Sequence, residues 1–353
     1  MNGGEFTSLQ RVLTTLDHRE PDRVPFFLLL TITGAKFAEC SIETYFSDAS
    51  QVAEMQLRMH ERYRHDCLYG FYYASAEVEP FGGSTHFFPD GPPNAGPPPI
   101  HSPQHIDALA TPDPESSPVL RRVLDTQRLL KSEVGDRIPI IGVVMSPFSI
   151  PVMQMGFERY LNLMFEEPER FWKLMAVNEA FCVNWANAQL QAGATAICYF
   201  DPVSSTTVIT RDHYLKTGLK VAKQTLSRIN GPTATHLASG NCLPILEDIA
   251  TTGTAIVGVS VLEDLRELKQ RAKGKISLLG NLNGIEMARW TAAQAEAAVK
   301  KAIAGAGPGG GFIVADNHGE IPWQVSDEVL IAISEAVHRW GEYPLAWAER
   351  YED

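Results

Sequence analysis

The stretch Thr235-His236-Leu237-Ala238-Ser239-Gly240-Asn241-Cys242 marks the junction between a strand and a helix. It continues a short β-branched segment, passes through a Ser-Gly-Asn turn, and enters a helical segment that starts Leu243-Pro244-Ile245. A histidine and a cysteine therefore lie on one strand-to-helix loop. In parallel α/β proteins, such loops carry the binding and catalytic side chains.

The same alternation of strand and helix runs through the whole chain. Eight segments rich in β-branched or aromatic residues are predicted strands: 24–30, 67–73, 138–145, 196–200, 233–236, 255–261, 276–279 and 312–315. Segments with helical periodicity follow them, at 50–64, 117–134, 157–192, 211–229, 243–252, 262–272, 285–305 and 326–340. Apolar strands alternating with amphipathic helices indicate a parallel sheet with both faces covered. Eight such units predict an α/β fold, a (β/α)8 TIM barrel, forming one domain over residues 1–353. An open doubly wound sheet is the alternative, but no Gly-x-Gly-x-x-Gly turn follows the first strand.

One segment departs from this pattern. Residues 80–115 hold ten of the 23 prolines and several glycines. Long ordered loops of this kind often act as lids or as docking surfaces for partners. We expect this insertion to pack over the mouth of the barrel, although a surface loop without a role explains the composition equally well.

The composition excludes several classes of protein. The formal net charge is −12 and the chain has no basic run, which argues against binding to nucleic acid or to anionic membranes. No apolar run is long enough to span a bilayer, and no signal-peptide pattern opens the sequence. The five cysteines are scattered and form no Cys-x-x-Cys pair. We therefore expect a soluble cytoplasmic protein that acts on a small molecule.

Three side chains on the predicted active-site loops have the atoms that zinc prefers. These are His236, Cys242 and His318. Cys242 would lie at a helix N-terminus, capped by Asn241, where the helix dipole favours a thiolate. Each residue also has an ordinary structural explanation, as a buried histidine, a core thiol or a helix-capping histidine. If no metal binds, His236 and His318 could act as general acid and base.

Other polar residues follow predicted strands and are secondary candidates. Asp201 could orient a histidine, or simply begin a turn before Pro202. Glu77 and Glu79, two apart on an extended segment, would point the same way and supply a catalytic carboxylate or a solvated pair. Ser146 and Asn281 are candidates for binding a cofactor.

Several motifs together resemble one enzyme family. They are Arg11-Val12-Leu13 through Glu20-Pro21-Asp22-Arg23-Val24-Pro25, Gly142-Val143-Val144-Met145-Ser146-Pro147-Phe148, Asp201-Pro202, the loop from His236 to Asn241, Gly280-Asn281-Leu282-Asn283, and Gly309-Gly310-Gly311-Phe312-Ile313-Val314-Ala315. Over about residues 8–345 the chain resembles the uroporphyrinogen decarboxylase superfamily, which implies a barrel fold.

The resemblance is to one branch of that superfamily more than to the other. True uroporphyrinogen decarboxylases carry Arg-Gln-Ala-Gly-Arg after the first strand, whereas this chain has Leu30-Thr31-Ile32-Thr33-Gly34. The missing arginines argue against a substrate with many carboxylates. The cobamide-dependent methyltransferases form the other branch, and their zinc-dependent members use a His-x-Cys and a later Cys. Here His236 is retained, Ala238 or Ser239 replaces the first Cys, and His318 replaces the second, with Cys242 as a candidate substitute.

This resemblance implies a corrinoid-dependent methyltransferase. Fewer thiolates would leave zinc more Lewis-acidic and suited to polarising a methyl ether, as in an O-demethylase. The partners would be a small-molecule methyl donor or acceptor and a separate corrinoid protein that brings cobalamin to the barrel mouth. Two alternatives remain open: a metal-free decarboxylase acting on a less acidic substrate, and a barrel that binds a ligand without catalysis.

Overall fold

The strands of the protein follow the predicted order. The computed structural model describes residues 6–351, and within that range the chain forms nine strands: β1 (Leu68–Tyr69), β2 (Thr85–His86), β3 (Asn94–Ala95), β4 (Ile140–Met145), β5 (Ala196–Phe200), β6 (Thr233–His236), β7 (Ile256–Gly258), β8 (Ser277–Leu282) and β9 (Phe312–Asp316). Seven of them form one parallel sheet in the order β1-β4-β5-β6-β7-β8-β9. The other two pair as an antiparallel hairpin.

The segment 24–30 closes this sheet into a barrel without forming a regular strand. Phe26 makes a parallel bridge with Val314 of β9. On its other side, the carbonyl oxygen of Phe26 accepts a hydrogen bond of 2.8 Å from the amide of Asp66, which lies just before β1. Pro25 has no N–H to add to a ladder. The segment 24–30 therefore takes the place of the eighth strand, as predicted, but it is not a regular strand. The (β/α)8 barrel is confirmed.

Helices surround the barrel. Within residues 6–351 the α-helices are α1 (Ser8–Leu16), α2 (Thr33–Phe37), α3 (Ile42–Tyr45), α4 (Ala49–Tyr63), α5 (Pro118–Val134), α6 (Pro151–Met155), α7 (Phe157–Glu166), α8 (Pro168–Ala192), α9 (Arg211–Lys216), α10 (Gly218–Leu226), α11 (Leu246–Ala250), α12 (Leu265–Ala272), α13 (Ala292–Ala306) and α14 (Asp327–Trp340). Short 3-10 helices at Ala74–Phe81, Pro103–Ala108, Pro114–Ser116, Pro202–Ser204, Leu243–Ile245, Glu286–Arg289 and Ala348–Arg350 complete the connections. No α-helix among the described residues is both long enough and apolar enough to cross a membrane.

Two predicted helices are each divided into two α-helices. The predicted helix 157–192 breaks at Glu167, whose dihedral angles of −128° and 64° are non-helical. Pro168 follows it, and proline disfavours the helical conformation in the preceding residue. The predicted helix 211–229 breaks at Thr217, which has φ −126° and ψ −81°. Helical periodicity continued through both breaks, so the apolar pattern alone did not reveal them.

The N-terminal end of the barrel is held together by one buried carboxylate. Asp66 is fully buried and accepts hydrogen bonds from Arg11 of α1 at 2.8 Å, from Arg23 at 2.7 and 3.0 Å, and from the amide of Phe26 at 3.0 Å. Burial opposes ionisation of Asp66, but the two arginines and the Phe26 amide outweigh it, and its pKa is lowered. Asp66 thereby joins α1 and the segment 24–30 to the beginning of the sheet.

The proline-rich insertion lies beside the barrel mouth. Its hairpin, β2 and β3, places Phe87 edge-on against Tyr73 with ring centroids 5.4 Å apart. Pro92, Pro93 and Asn94 line the large cavity described below. Part of this segment therefore borders the cavity near Tyr73.

Candidate functional site

A cavity of about 360 Å³ occupies the inside of the barrel. Its walls are mainly aromatic and aliphatic, and among residues 6–351 they include no lysine or arginine. Two histidines and two acids of the lining lie at or just after the carboxyl ends of strands, namely His236, Asp316, His318 and Glu320. The other ionisable side chains of the lining are the phenols of Tyr69, Tyr72 and Tyr73 and the thiol of Cys198. The polar groups thus gather where barrels carry their active sites.

His236 ends β6 and is held in one orientation. Its ring stacks on Phe200 of β5, with centroids 5.5 Å apart and an interplanar angle of 24°. Its Nδ1 accepts a hydrogen bond of 2.9 Å from the amide of Ala238. Neutral imidazole has one acceptor nitrogen, so the proton lies on Nε2. Burial, with a smaller effect from nearby His318, lowers the pKa of His236 to about 4, and the ring is neutral at pH 7.

Gly258 of β7 makes room for this ring. A Cβ at position 258 would lie 2.6 Å from Cδ2 and 3.0 Å from Nε2 of His236. We predict that Gly258→Ala displaces the ring from its buried site and raises the pKa of His236 toward its ordinary value of 6.5. NMR titration of the histidine rings measures this shift. Gly305→Ala is the control, because its Cβ would meet nothing closer than 3.5 Å. An unchanged titration of His236 in Gly258→Ala would contradict this role of Gly258.

Asp316 shapes the loop that follows β9. Its Oδ2 accepts hydrogen bonds from the amides of His318 at 2.9 Å and Gly319 at 3.0 Å. Burial raises the pKa of Asp316 to about 6. Asn317, with its amide nitrogen toward His318, donates to Nδ1 of His318 at 2.7 Å. His318 is itself half-buried, and this burial lowers its pKa.

Glu320 is bound to the loop that follows the segment 24–30. Its carboxyl group accepts hydrogen bonds from the amides of Thr31 at 2.9 Å and Ile32 at 3.0 Å, and it is in close contact with the Thr31 hydroxyl. That hydroxyl also lies 3.1 Å from the carbonyl oxygen of Tyr72, which can only accept. If the single hydroxyl hydrogen goes to Tyr72, Glu320 must supply the proton in its own contact with Thr31. Burial raises the pKa of Glu320 to about 8, in agreement with a protonated side chain at neutral pH.

The three predicted zinc ligands do not form a metal site in this arrangement. Among residues 6–351, no group of three or more His, Cys, Asp or Glu side chains is placed to hold a metal ion. Cys242 is fully buried in the hydrophobic core, which raises the pKa of its thiol well above the ordinary value. A histidine that binds a metal through one ring nitrogen usually donates a hydrogen bond from the other ring nitrogen. In His236, the Nδ1 atom instead accepts a hydrogen bond from the amide of Ala238.

The prediction that Asn241 caps the helix after this loop is wrong. The side-chain oxygen of Asn241 has no hydrogen-bond partner. The carboxylate of Glu263 instead accepts from the amides of Cys242 at 2.9 Å and Leu243 at 2.7 Å. A distant carboxylate, from the loop after β7, thus satisfies the free N–H groups at this helix end.

The secondary candidates lie outside the cavity lining. Asp201 is buried, and its Oδ1 accepts from the hydroxyls of Ser146 at 2.5 Å and Ser149 at 2.7 Å. The side-chain nitrogen of Asn281 donates to the carbonyl oxygen of Ser260 at 3.0 Å. The structure therefore places Ser146 beside Asp201 and Asn281 beside Ser260. The backbone amide of Asp201 donates to the carbonyl oxygen of His236 at 2.7 Å, while its carboxylate is bound to Ser146 and Ser149.

The two glutamates predicted to point the same way do not. The segment Ala74–Phe81 is a 3-10 helix, in which residues two apart face different directions. Glu77 is buried and accepts from the amide of Met145 at 3.0 and 3.1 Å, whereas Glu79 accepts from Thr85 at 2.8 Å. Glu77 thus holds the end of β4, and burial raises its pKa well above the ordinary value.

Sequence reasoning gave too little weight to Asp316, Glu320 and Gly258. The first two stand with His318 in one short loop, Asp316-Asn317-His318-Gly319-Glu320, and that density of ionisable groups after a buried strand was the available signal. Gly258 gave no such signal, because its importance depends on the ring that packs across from it.

Comparisons with known proteins agree with this fold. The chain matches the family described as uroporphyrinogen decarboxylase (URO-D) over residues 7–340. The uroporphyrinogen decarboxylase of Thioalkalivibrio sulfidiphilus is 27% identical over 259 residues, 69% of this chain and 71% of that protein. That of Methylococcus capsulatus is 29% identical over 255 residues, 69% and 70% of the two chains.

A solved structure extends the likeness to the whole barrel. A methyltransferase from Methanosarcina mazei superposes with a TM-score of 0.84, covering 95% of this chain and 99% of that one. At 20% identity, the superposition shows a shared fold. The family match covers most of the chain and coincides with the observed barrel, and this protein therefore belongs to the uroporphyrinogen decarboxylase (URO-D) family.

Proposed function

We propose that this protein is a methyltransferase that removes a methyl group from a neutral, apolar methyl ether and passes it to a corrinoid on a separate protein. The observation that carries the proposal is the cavity. It has apolar walls without a lysine or arginine, and its histidines and acids are confined to one end. Such a site favours an uncharged ligand whose reacting group lies among those polar side chains.

The cavity does not suit a substrate with many carboxylates. Buried carboxylates need cationic partners, and the lining supplies none. The resemblance implies arginines in the loop after the segment 24–30. In this chain, the amides of Thr31 and Ile32 in that loop donate to Glu320. The loop therefore holds the carboxyl group of Glu320 beside the cavity.

The reaction requires a proton at the oxygen that loses its methyl group. The carbon–oxygen bond breaks, its electron pair stays on the oxygen, and that oxygen must be protonated. Glu320, whose pKa is raised to about 8, holds a proton at pH 7 and is our candidate acid. The Nε2–H of His236 is a hydrogen-bond donor that can orient the ether oxygen.

A reduced corrinoid would supply the electron pair that takes up the methyl carbon. Two features at the barrel mouth support delivery by a partner protein. Leu262, in the loop after β7, is 80% exposed, and Ile285, in the loop after β8, is 59% exposed. Because β7 and β8 pair in the sheet, these loops follow neighbouring strands, and their exposed apolar side chains are available to a docking partner.

The proposal assigns no step to zinc. In this arrangement Cys242 belongs to the core and Nδ1 of His236 is already bonded. A second candidate, decarboxylation, is favoured by the names of the relatives, both called uroporphyrinogen decarboxylases. The same acids that could protonate an oxygen could protonate a carbanion, so the two reactions are separated by experiment.

Anaerobic incubation with reduced cobalamin and methoxybenzene tests the proposal. We expect methylcobalamin and phenol in equal amounts, and no loss of rate after treatment with a chelator. We also expect 4-methoxybenzoate to react at least tenfold more slowly, because the lining offers its carboxylate no cation. Absence of methylcobalamin, together with release of carbon dioxide from carboxylic acids without a corrinoid, would establish the decarboxylase instead.

A further inference from the structure

We propose that the inside of the barrel is itself a binding chamber, which takes an apolar chain or ring carried by the substrate. This inference deepens the proposed function, and it rests on that function only for which end of the ligand reacts. Barrels of this kind are normally filled by layers of bulky branched side chains. Here the barrel encloses a cavity, and three of the strand positions that line it on β5 and β6 hold small residues, Ala196, Cys198 and Ala234.

Strand β5 shows the difference between its two faces. Ala196, Cys198 and Phe200 point inward, line the cavity and remain partly accessible. Ile197 and Tyr199 alternate with them and are fully buried, although Ile197 also borders the cavity. Strand β5 lies in the middle of the sheet, and helices cover its outer face. Accessible side chains on its inner face therefore indicate a space inside the barrel that other side chains do not fill.

The neighbouring strand leaves the same space. Cys198 pairs in register with Ala234 of β6, and Ala234 is likewise partly accessible and lines the cavity. Ala315 of β9, which pairs in register with Asn281 of β8, also lines the cavity with a small side chain. Two adjacent strands thus present an alanine and a cysteine where a packed barrel would have valine, isoleucine or leucine.

The chamber reaches the opposite end of the barrel. Its lining includes Leu9, Val12, Leu13 and Leu16 of α1, as well as Pro139 and Thr195, which precede β4 and β5. The five residues from Ala196 to Phe200 alone span about 13 Å between the first and last Cα atoms. Leu13 is 51% exposed although it lines the chamber, so α1 covers this end without sealing it tightly.

The distribution of polarity defines the ligand. Aliphatic side chains and prolines line the end near α1, together with the polar residues Thr195 and Thr233. Among residues 6–351, the lining away from the mouth contains Tyr69 and Cys198 as its ionisable side chains. The histidines and acids lie at the mouth. A ligand that matches both ends is uncharged, with an apolar body several carbons long in the chamber and one polar group among His236, His318 and Glu320.

A series of 4-alkylphenols tests this chamber without any turnover. Each compound is added to the protein with the neutral fluorescent probe N-phenyl-1-naphthylamine bound. Its dissociation constant is calculated from the loss of fluorescence as the probe is displaced. We expect affinity to rise about fourfold for each added methylene, from ethyl to octyl. Equal affinity across the series would overturn the proposal, whereas failure of methyl transfer would leave it standing.

Filling the chamber provides a second measurement. Ala234→Leu should weaken binding of 4-octylphenol by roughly tenfold or more while leaving 4-ethylphenol nearly unchanged. Its melting temperature should equal or exceed that of the wild type, since the added carbons enter empty space. The control is Ala297→Leu, at an exposed position of α13. A melting temperature that falls in Ala234→Leu but not in the control would show a packed interior and overturn the inference.

Discussion

Glu320→Gln is expected to lower the rate of methyl transfer by about 10²–10⁴-fold, the usual contribution of a positioned general acid. Glutamine keeps the size of the side chain and its contacts with the Thr31 loop, but it cannot give up a proton to the leaving oxygen. The pKa of Glu320 is raised to about 8, so the wild-type rate should fall as the pH rises through about 8. The variant should lack that decline. Initial rates between pH 6 and 9 measure both effects.

Two controls separate catalysis from folding in this variant. Glu328→Gln changes an exposed glutamate in α14 and should leave the rate and its pH dependence unaltered. The raised pKa of Glu320 means that the folded state binds its proton more tightly than the unfolded chain, whose carboxyl titrates near 4.5. Wild-type stability should therefore decrease as the pH rises from about 4.5 to 8, and Glu320→Gln should remove that decrease. A Glu320→Gln variant with the wild-type rate would rule out the proposed acid.

Asp66→Ala is expected to cost about 3–5 kcal/mol of folding free energy, measured by urea denaturation. The side chain of Arg23 is only 11% exposed and pairs with Asp66. After the substitution it keeps its hydrogen bond to the carbonyl oxygen of Val24 but loses this acidic partner. The substitution also removes an acceptor from the amide of Phe26, in the segment that closes the barrel. Arg11 keeps its second partner, Asp22, at 2.6 Å, so the loss falls mainly on Arg23 and Phe26.

A surface carboxylate provides the matched control. Asp125 pairs with Arg128 within α5, with both side chains more than half exposed, and Asp125→Ala should change stability by less than about 1 kcal/mol. The lowered pKa of Asp66 also has a consequence for pH. Its contribution to stability is present above the unfolded pKa and is lost as the pH falls through the lower folded pKa. Equal losses in Asp66→Ala and Asp125→Ala would show that the buried cluster does not stabilise the fold.

The sequence predicted the barrel because its main signal is periodic and local. Strands β4 to β9 and helices such as α4 and α14 lie within a few residues of the predicted segments, since their apolar residues repeat with the period of the element. The segment 24–30 and the loop after β1 were less regular than predicted. In both places, hydrogen bonds to distant residues decide the backbone, as with Glu77 and Met145.

The candidate site was predicted in part for the same reason. His236 and His318 follow strands, and the order of strands and loops was enough to place both beside the cavity. The position of Cys242 depends on the conformation of its loop. Glu263, 21 residues later, fixes that conformation by accepting a hydrogen bond from the amide of Cys242. The chemical state of Glu320 depends on contacts with a segment 289 residues away. Neither relation leaves a local pattern in the chain.

The closure of the barrel also has a consequence for the order of events during synthesis. The amide of Phe27 donates to Val314, and the amide of Thr31 donates to Glu320, so one segment is completed by another that is made almost 290 residues later. Until residues 312–320 emerge, the segment 24–30 has no neighbour on one side and the acid beside the cavity does not exist. A nascent chain can build most of its helices and inner strands as it grows, but the barrel closes only after residues 312–320 have been made.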